Sequence, residues 1–398
     1  MRQPSTRSEI EQARAFRELV GARKFRVRLA EIGRLVRAGQ RAGRSAQQRF
    51  AIELAIGRLR RGAPAPSTAD RRIAALAGEA VRIASGLSAA GGDRLVAALR
   101  AGMTGEATLV PAFHLLRTAA LQRARGFAVR HAGLEDGAAF DLLIRRDGME
   151  AEIACDVVSA EDGRDVHRGA WFSLIDRIDP ELQRWLSDHP GRYLLKMTLP
   201  QGLRAAEAEA LGTLHRRITA LLSERRRADH DEAAVLRLDP LLLAGAQADE
   251  LGLVSRLRRE FGPEAHLAVT TAGGGVFVMA ARAGRENEVA VAVRRRLCGI
   301  APARLSGARP GILAMFVEDT DRLEWQALRE RLELEGEARQ FLTCKEARPV
   351  VAVTCASRLE LFGLAGQQPE RDGEIRFRNP THPAARAAAL APAILSSV

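Results

Sequence analysis

Cysteine, lysine and aromatic residues are scarce in this chain, and each shortage narrows what it can be. Four cysteines, Cys155, Cys298, Cys344 and Cys355, are scattered through 398 residues without a CxxC pair. Neither a zinc site nor a disulfide framework is expected from that spacing. They read as buried free thiols of a reducing compartment, three of them among apolar neighbours. Lysine occurs only at Lys24, Lys196 and Lys345 among 61 basic residues. Aromatic residues make up 4% of the chain, and the N-terminal region offers only Phe16, Phe25 and Phe50, a poor set for stacking bases. Apolar runs fall far short of the ~20 residues of a membrane span. The N-terminus is charged from Arg2 onward and lacks an apolar leader, so a cytoplasmic protein with no membrane partner is expected. There is no HExxH, no GxSxG elbow, and Gly273-Gly274-Gly275 has neither the lysine nor the following helix of a phosphate loop. That glycine run reads as a hairpin turn.

What is abundant is arginine, and it is unevenly placed. The net charge is +12, and residues 1–62 carry sixteen Lys/Arg against five Asp/Glu. Nearly all the excess is therefore N-terminal. Residues 8–62 read as helix, with Phe16, Leu19, Val20, Ile32, Leu35 and Val36 near helical spacing and arginines between them. Gly39 and Gly43 are expected to divide this stretch. Arg23, Lys24, Arg26, Arg28, Arg34, Arg37, Arg41 and Arg44 are the candidates for contact with nucleic-acid phosphates. A solvated arginine-rich face packed on the core fits the same pattern.

A second helical piece covers about 69–101, beyond a Gly/Pro linker at 61–68 and with a break at Gly91-Gly92. From residue 108 helices and strands alternate. A helix over 109–125 ends at Gly126. Strands follow at 127–131, 139–145 and 149–158, the last two joined by the turn Asp147-Gly148. Ser159 with Asp162 has the form of a capping box, and a helix carrying Trp171, Leu174, Ile175 and Ile178 comes next. Pro180 is expected to restart it as a short helix, and a strand follows at 192–199. Beyond it come a helix at 203–227, a strand at 233–238, a helix at 245–260 and a hairpin about the glycine run. A helix at 285–298, strands at 311–317 and 350–355, a helix at 321–335 and a short strand at 374–378 complete the chain. The fold class expected is α/β, a mixed sheet with an α-β-β-β-α-β core behind a basic helical region. Its domains are 1–102 (helical), 103–200 (core) and 201–398 (an α/β extension or second domain).

The second and third of these strands carry the acids. On 149–158 the alternation of side chains puts Glu150, Glu152 and Asp156 on one face and Ile153, Cys155 and Val157 on the other. Hairpin register can bring Asp141 near Glu152. Carboxylates converging in this way suit Mg²⁺ or Mn²⁺, which could activate water against a phosphodiester. Glu318 with Asp319 offers a second acidic position at a strand's carboxyl end, and a helix N-cap at Thr320 or Asp319 explains the same residues.

The order of elements over 109–199, with Asp141 on the second strand and acids on the third, resembles the PD-(D/E)xK nuclease superfamily. The phrase Ala154-Cys155-Asp156-Val157-Val158-Ser159-Ala160-Glu161-Asp162-Gly163-Arg164 resembles a form seen in bacterial nuclease-like proteins. The resemblance implies Asp141 and Glu152 as metal ligands. It also implies an (D/E)-x-K that departs from the pattern here. Glu152-Ile153-Ala154 keeps the acid and lacks the lysine; Ala154-Cys155-Asp156 lacks both. Arg164, His167 or Lys196 could supply the cation, Asp156 is a further candidate in the site, and the preceding helix offers His114. A nucleic-acid-associated protein with a degenerate nuclease module is the leading expectation. An active metal-dependent nuclease and a non-catalytic scaffold are the alternatives.

Overall fold

The computed structural model describes residues 6–60, 64–204, 208–241, 257, 261–262, 265–363 and 374–396. Its strands are β1 (Ala128–Arg130), β2 (Leu142–Arg146), β3 (Met149–Ser159), β4 (Arg192–Leu199), β5 (Ala228–His230), β6 (Val235–Pro240), β7 (His266–Ala272), β8 (Gly275–Ala283), β9 (Gly311–Glu318), β10 (Val350–Ser357) and β11 (Ile375–Arg378). The N-terminal helices are α1 (Thr6–Val20), α2 (Ala22–Arg37), α3 (Gln40–Arg49), α4 (Ala51–Arg58), α5 (Thr68–Gly86), α6 (Ala89–Ala101) and α7 (Val110–Ala124). Between and after the strands lie α8 (Ala132–Glu135), α9 (Arg168–Asp188), α10 (Ala208–Ser223), α11 (Val289–Arg304), α12 (Arg322–Glu330), α13 (Glu333–Leu342), α14 (Arg358–Phe362) and α15 (Ala391–Ile394). The helix expected at 245–260 lies outside the described residues apart from Leu257, as does part of the linker at 61–68.

The chain forms two compact units, one of Met1–Gly33, Gln47–Ala160 and Ala290–Val398, the other of Arg34–Ala46 and Glu161–Val289. Each is α/β with a mixed sheet. In the first the strand order is β1-β2-β3-β9-β10-β11. β1, β2 and β3 form an antiparallel meander, β9 and β10 continue parallel to β3, and β11 closes the edge antiparallel. The turn from β2 to β3 has positive φ at both Asp147 and Gly148, the handedness that matches the twist of a two-residue hairpin.

One core of this unit joins the N-terminal helices to the sheet: Phe16, Phe25, Ile56, Ile73 and Phe113 pack with Phe316 of β9 and Ala356 of β10. Phe16 meets Phe25 and Phe113 edge-on at 6.5 and 5.7 Å. These helices are thus a layer on the sheet and share its core. α7 lies on the Cys155 side, where His114 bonds through Nε2 to the carbonyl of Ala314, 2.9 Å away. β9 and β10 are buried along almost their whole length, as strands covered on both faces must be.

The second unit has the order β5-β6-β4-β8-β7, with β4 and β8 parallel and the other pairs antiparallel. Trp171, Leu174 and Ile178 of α9 and Ile218 of α10 share a core with Leu195, Met197 and Phe277 of its sheet. Asp176 of α9 accepts hydrogen bonds from the first free amides of α3, those of Arg41 and Ala42.

Several sequence expectations change here. Residues 103–200 do not share one sheet: β4 pairs with β6 and β8, and the place beside β3 is taken by β9. α9 runs unbroken through Pro180, its long apolar face from Trp171 to Leu186 outweighing one lost backbone hydrogen bond. Ser159 caps no α-helix: its hydroxyl donates to Asp319, and α9 begins at Arg168. The N-terminal breaks fall at Gly21, Ala38-Gly39 and Phe50, with Gly43 inside α3. The break before α6 is at Leu87-Ser88, Ser88 being its cap. The helix expected over 321–335 is two, α12 and α13, divided at Leu332 with φ 58°.

Candidate functional site

The hairpin register is Leu142↔Ile153 through Arg146↔Met149, and the amide of Asp141 donates to the carbonyl of Ile153. The structure gathers Asp141, Glu150, Glu152 and Asp156 beneath the end of α11 and the segment that follows it. Each carboxylate meets a partner there. Arg304 donates to Asp141 at 2.8 Å, and the backbone amide of Cys155 donates to the same oxygen at 2.7 Å. Arg296 grips Asp156 with two bonds of 2.6 and 3.0 Å. Glu152 is completely buried. It accepts from the Ser306 amide at 2.9 Å and the Ser306 hydroxyl at 2.5 Å, with Arg309 at 3.5 Å. Arg309 also reaches Glu150 at 2.8 Å.

Burial pushes the Asp141 carboxyl above its ordinary value, against the opposing pull of Arg304 and the Cys155 amide. A hard divalent cation needs several oxygens directed at one point. Here the oxygens are directed at guanidinium groups and a serine, and among the described residues no three His, Cys, Asp or Glu are arranged to hold a metal. The residues as placed do not fit Mg²⁺ or Mn²⁺, and no hydrolytic step is derived through one.

The cations expected from the sequence have other partners. Arg164 and Lys196 belong to the second unit, whereas the hairpin belongs to the first. Arg164 is paired with Glu161 at 2.7 Å; Lys196 is paired with Asp239 at 3.4 Å and sits over the Phe261 ring. His114 packs on the Cys155 side of the sheet, its ring 5.4 Å from that of Phe316. Burial lowers its pKa to about 4. The cations that do meet the acids, Arg296, Arg304 and Arg309, were not singled out by sequence reasoning. They stand about 140 to 165 residues away from their partners. No local pattern carries that information.

Of the eight N-terminal candidates, Arg23, Lys24, Arg26, Arg34, Arg37 and Arg44 are exposed. Arg28 and Arg41 have structural roles. Arg28 is 2% exposed; it donates to the carbonyls of Gly105 and Ala107 at 2.7 Å and lies over the Phe50 ring. Arg41 donates to the carbonyl of Val269 at 2.9 Å and pairs with Asp179 at 3.5 Å.

A second polar cluster sits at the carboxyl ends of β3 and β9 in the first unit. The Ser159 hydroxyl donates to Asp319 at 2.6 Å and the Thr108 hydroxyl to Glu318 at 3.0 Å. Burial, with Asp319 adjacent, raises the pKa of Glu318. Asp319 has φ 59°, strained for a residue with a side chain. The cap of α12 is Asp321, whose side chain accepts from the Glu324 amide, so neither Asp319 nor Thr320 serves as the cap. Nearby Glu53 is buried with no hydrogen bond to either carboxylate oxygen, and burial raises its pKa to about 7.

Comparison of the chain with family models, curated proteins and solved structures returns no match in any of the three.

Proposed function

We propose that this chain is a nucleic-acid-associated protein whose acid hairpin, a degenerate relative of the PD-(D/E)xK arrangement, has become a structural ion-pair lattice without hydrolytic activity. The observation that carries the reading is the pairing of Asp141, Glu150, Glu152 and Asp156 with Arg304, Arg309, Ser306 and Arg296. A metal entering this lattice would have to displace guanidinium groups from partly or wholly buried carboxylates. Removing one partner of a buried pair typically costs about 3–5 kcal/mol. Without a metal, water bound at the hairpin lacks the ion that would make it nucleophilic at neutral pH.

Nucleic-acid association rests on charge. The formal charge is +12, its excess is N-terminal, and six of the eight basic candidates there are exposed with no carboxylate partner among the described residues. Guanidinium groups suit phosphate oxygens in geometry and charge. Binding of this kind is insensitive to sequence and steep in salt, with a log–log slope of about −0.9 for each phosphate neutralised on duplex DNA.

Fluorescence anisotropy with a labelled duplex, read between ~50 and ~200 mM salt, tests the reading. Affinity is expected to fall steeply across that range, and Mn²⁺ is expected to bring no cleavage. Salt-independent binding, or no binding at low salt, would remove the nucleic-acid partner. Mn²⁺-dependent cleavage that disappears in Asp141→Ala would replace the reading with an active nuclease.

A further inference from the structure

A cavity of about 960 Å³ opens in the first unit between α13, the turn Lys345–Ala347, β11 and the segment after it. Its volume is at the upper end of the ~300–1,000 Å³ usual for small-molecule sites. Arg339, Lys345, Arg348, Arg376 and Arg378 line it, and among the described lining residues Glu335 is the single acid. We propose that this cavity binds a phosphorylated small molecule of nucleotide size, with Arg348 and Arg378 as the principal phosphate contacts.

The way the cations are held supports this. Arg378 reaches the carbonyl of Ala385 at 3.5 Å, and Arg376 donates to the carbonyl of Pro392 at 2.8 Å. A carbonyl fixes a guanidinium in place without cancelling its charge. Arg348 is exposed, and neither it nor Arg378 has an ion pair with a described carboxylate. Arg339 differs, since Glu335 neutralises it one helical turn away. The net positive charge in the cavity therefore resides chiefly on Arg348 and Arg378.

The neutral donors point the same way. The Ala384 amide donates to Nδ1 of His382 at 3.1 Å. That bond leaves the proton on Nε2, so the ring has a donor to offer an oxyanion. Burial lowers the His382 pKa, in favour of that neutral form. Asn379 braces the wall: its side-chain amide donates to the carbonyl of Val350, and its oxygen accepts from the amide and hydroxyl of Thr381. Leu342 and Phe377 add apolar wall for the non-phosphate part of a ligand. Forked guanidinium groups match phosphate oxygens bidentately, and several cations in one cavity select a ligand with more than one negative charge.

Calorimetry on the full chain with ADP, inorganic pyrophosphate and adenosine tests this. ADP and pyrophosphate are expected to bind and adenosine not. The double variant Arg348→Ala, Arg378→Ala is expected to weaken ADP binding at least about tenfold, as loss of two charge-assisted contacts implies. Its thermal midpoint and duplex affinity should equal those of the parent. Should the double variant unfold, Arg348→Gln alone removes a side chain with no described partner and must still weaken ADP. No binding of ADP or pyrophosphate to the parent would overturn the proposal, as would unchanged affinity in the variants or adenosine binding as tight as ADP. Because duplex affinity is read separately, failure here leaves the N-terminal arginine reading intact, and the reverse also holds.

Discussion

The acid hairpin and the C-terminal cavity are both rich in arginine, and they use it in opposite ways. At the hairpin Arg296, Arg304 and Arg309 face carboxylates, so charge is consumed inside the protein. At the cavity Arg376 and Arg378 face backbone carbonyls. Arg378 is held in position there, and its charge is left available for an outside partner. The same side chain closes one site and opens another, and what decides is the charge of the acceptor opposite it. A count of arginines does not distinguish the two uses; a list of their partners does.

The largest effect should come from the closed region. Glu152→Ala removes a fully buried carboxylate and leaves the Ser306 amide and hydroxyl without their acceptor. Urea denaturation should show a loss of about 3 kcal/mol, the range for breaking a buried charged network from one side. A loss under ~0.5 kcal/mol, the level of an ordinary surface site, would mean that the lattice contributes little.

Next in size is a pH effect from Glu53, whose pKa burial raises to about 7. The folded state then holds a proton that the unfolded chain releases near pH 4.5. The stability this contributes is complete below pH ~4.5 and is lost as pH rises through 7, up to about 3 kcal/mol in all. His114 and His131 act with the opposite sign, because burial lowers each to about 4. Their contribution is present above pH ~6.5 and lost as pH falls toward 4. Glu53→Gln should therefore gain stability over the parent at pH 8 relative to pH 5, leaving the acid-side loss in place. A parent-to-variant difference that is the same at both pH values would remove Glu53 as a titrating group in this range.

The smallest effects belong to the exposed arginines. Replacing Arg23, Arg26, Arg34 or Arg37 by Ala should change stability by less than ~0.5 kcal/mol. Each should also make the salt dependence of duplex binding shallower by up to about one in log–log slope. If Arg28→Ala behaved like these, its role in packing would be wrong. Its contacts with Gly105, Ala107 and Phe50 call instead for a substantial loss of stability with little change in slope.

How far the sequence discloses such distinctions depends on the range of the interaction. The Asp147-Gly148 turn was legible because two adjacent residues must both accept positive φ, and the structure gives 48° and 78°. The runs Gly311–Val317 and Val350–Cys355 were legible as strands from their largely apolar composition, and both are buried. Which strand lies beside β3 was not legible. That neighbour is β9, more than 150 residues along the chain. Arg296, Arg304 and Arg309 were hidden for the same reason, since they reach the hairpin through tertiary folding alone. The eight basic candidates of α2 and α3 looked alike in the sequence. Burial of Phe25 and Ile32 on the inner face of α2 draws Arg28 inward and leaves Arg23 and Arg26 outside. The C-terminal cavity had no local signature, its cations being spread over α13, a 3-10 turn and β11.

Mn²⁺ calorimetry on the intact protein and on Arg296→Ala, Arg304→Ala bears most directly on the closed state of the hairpin. The result expected is no binding to the intact protein and a new, weak site in the double variant, where Asp141 and Asp156 are released from their guanidinium partners. Stoichiometric Mn²⁺ binding to the intact protein, abolished by Asp141→Ala with Glu152→Ala, would contradict it and make the hairpin a metal centre.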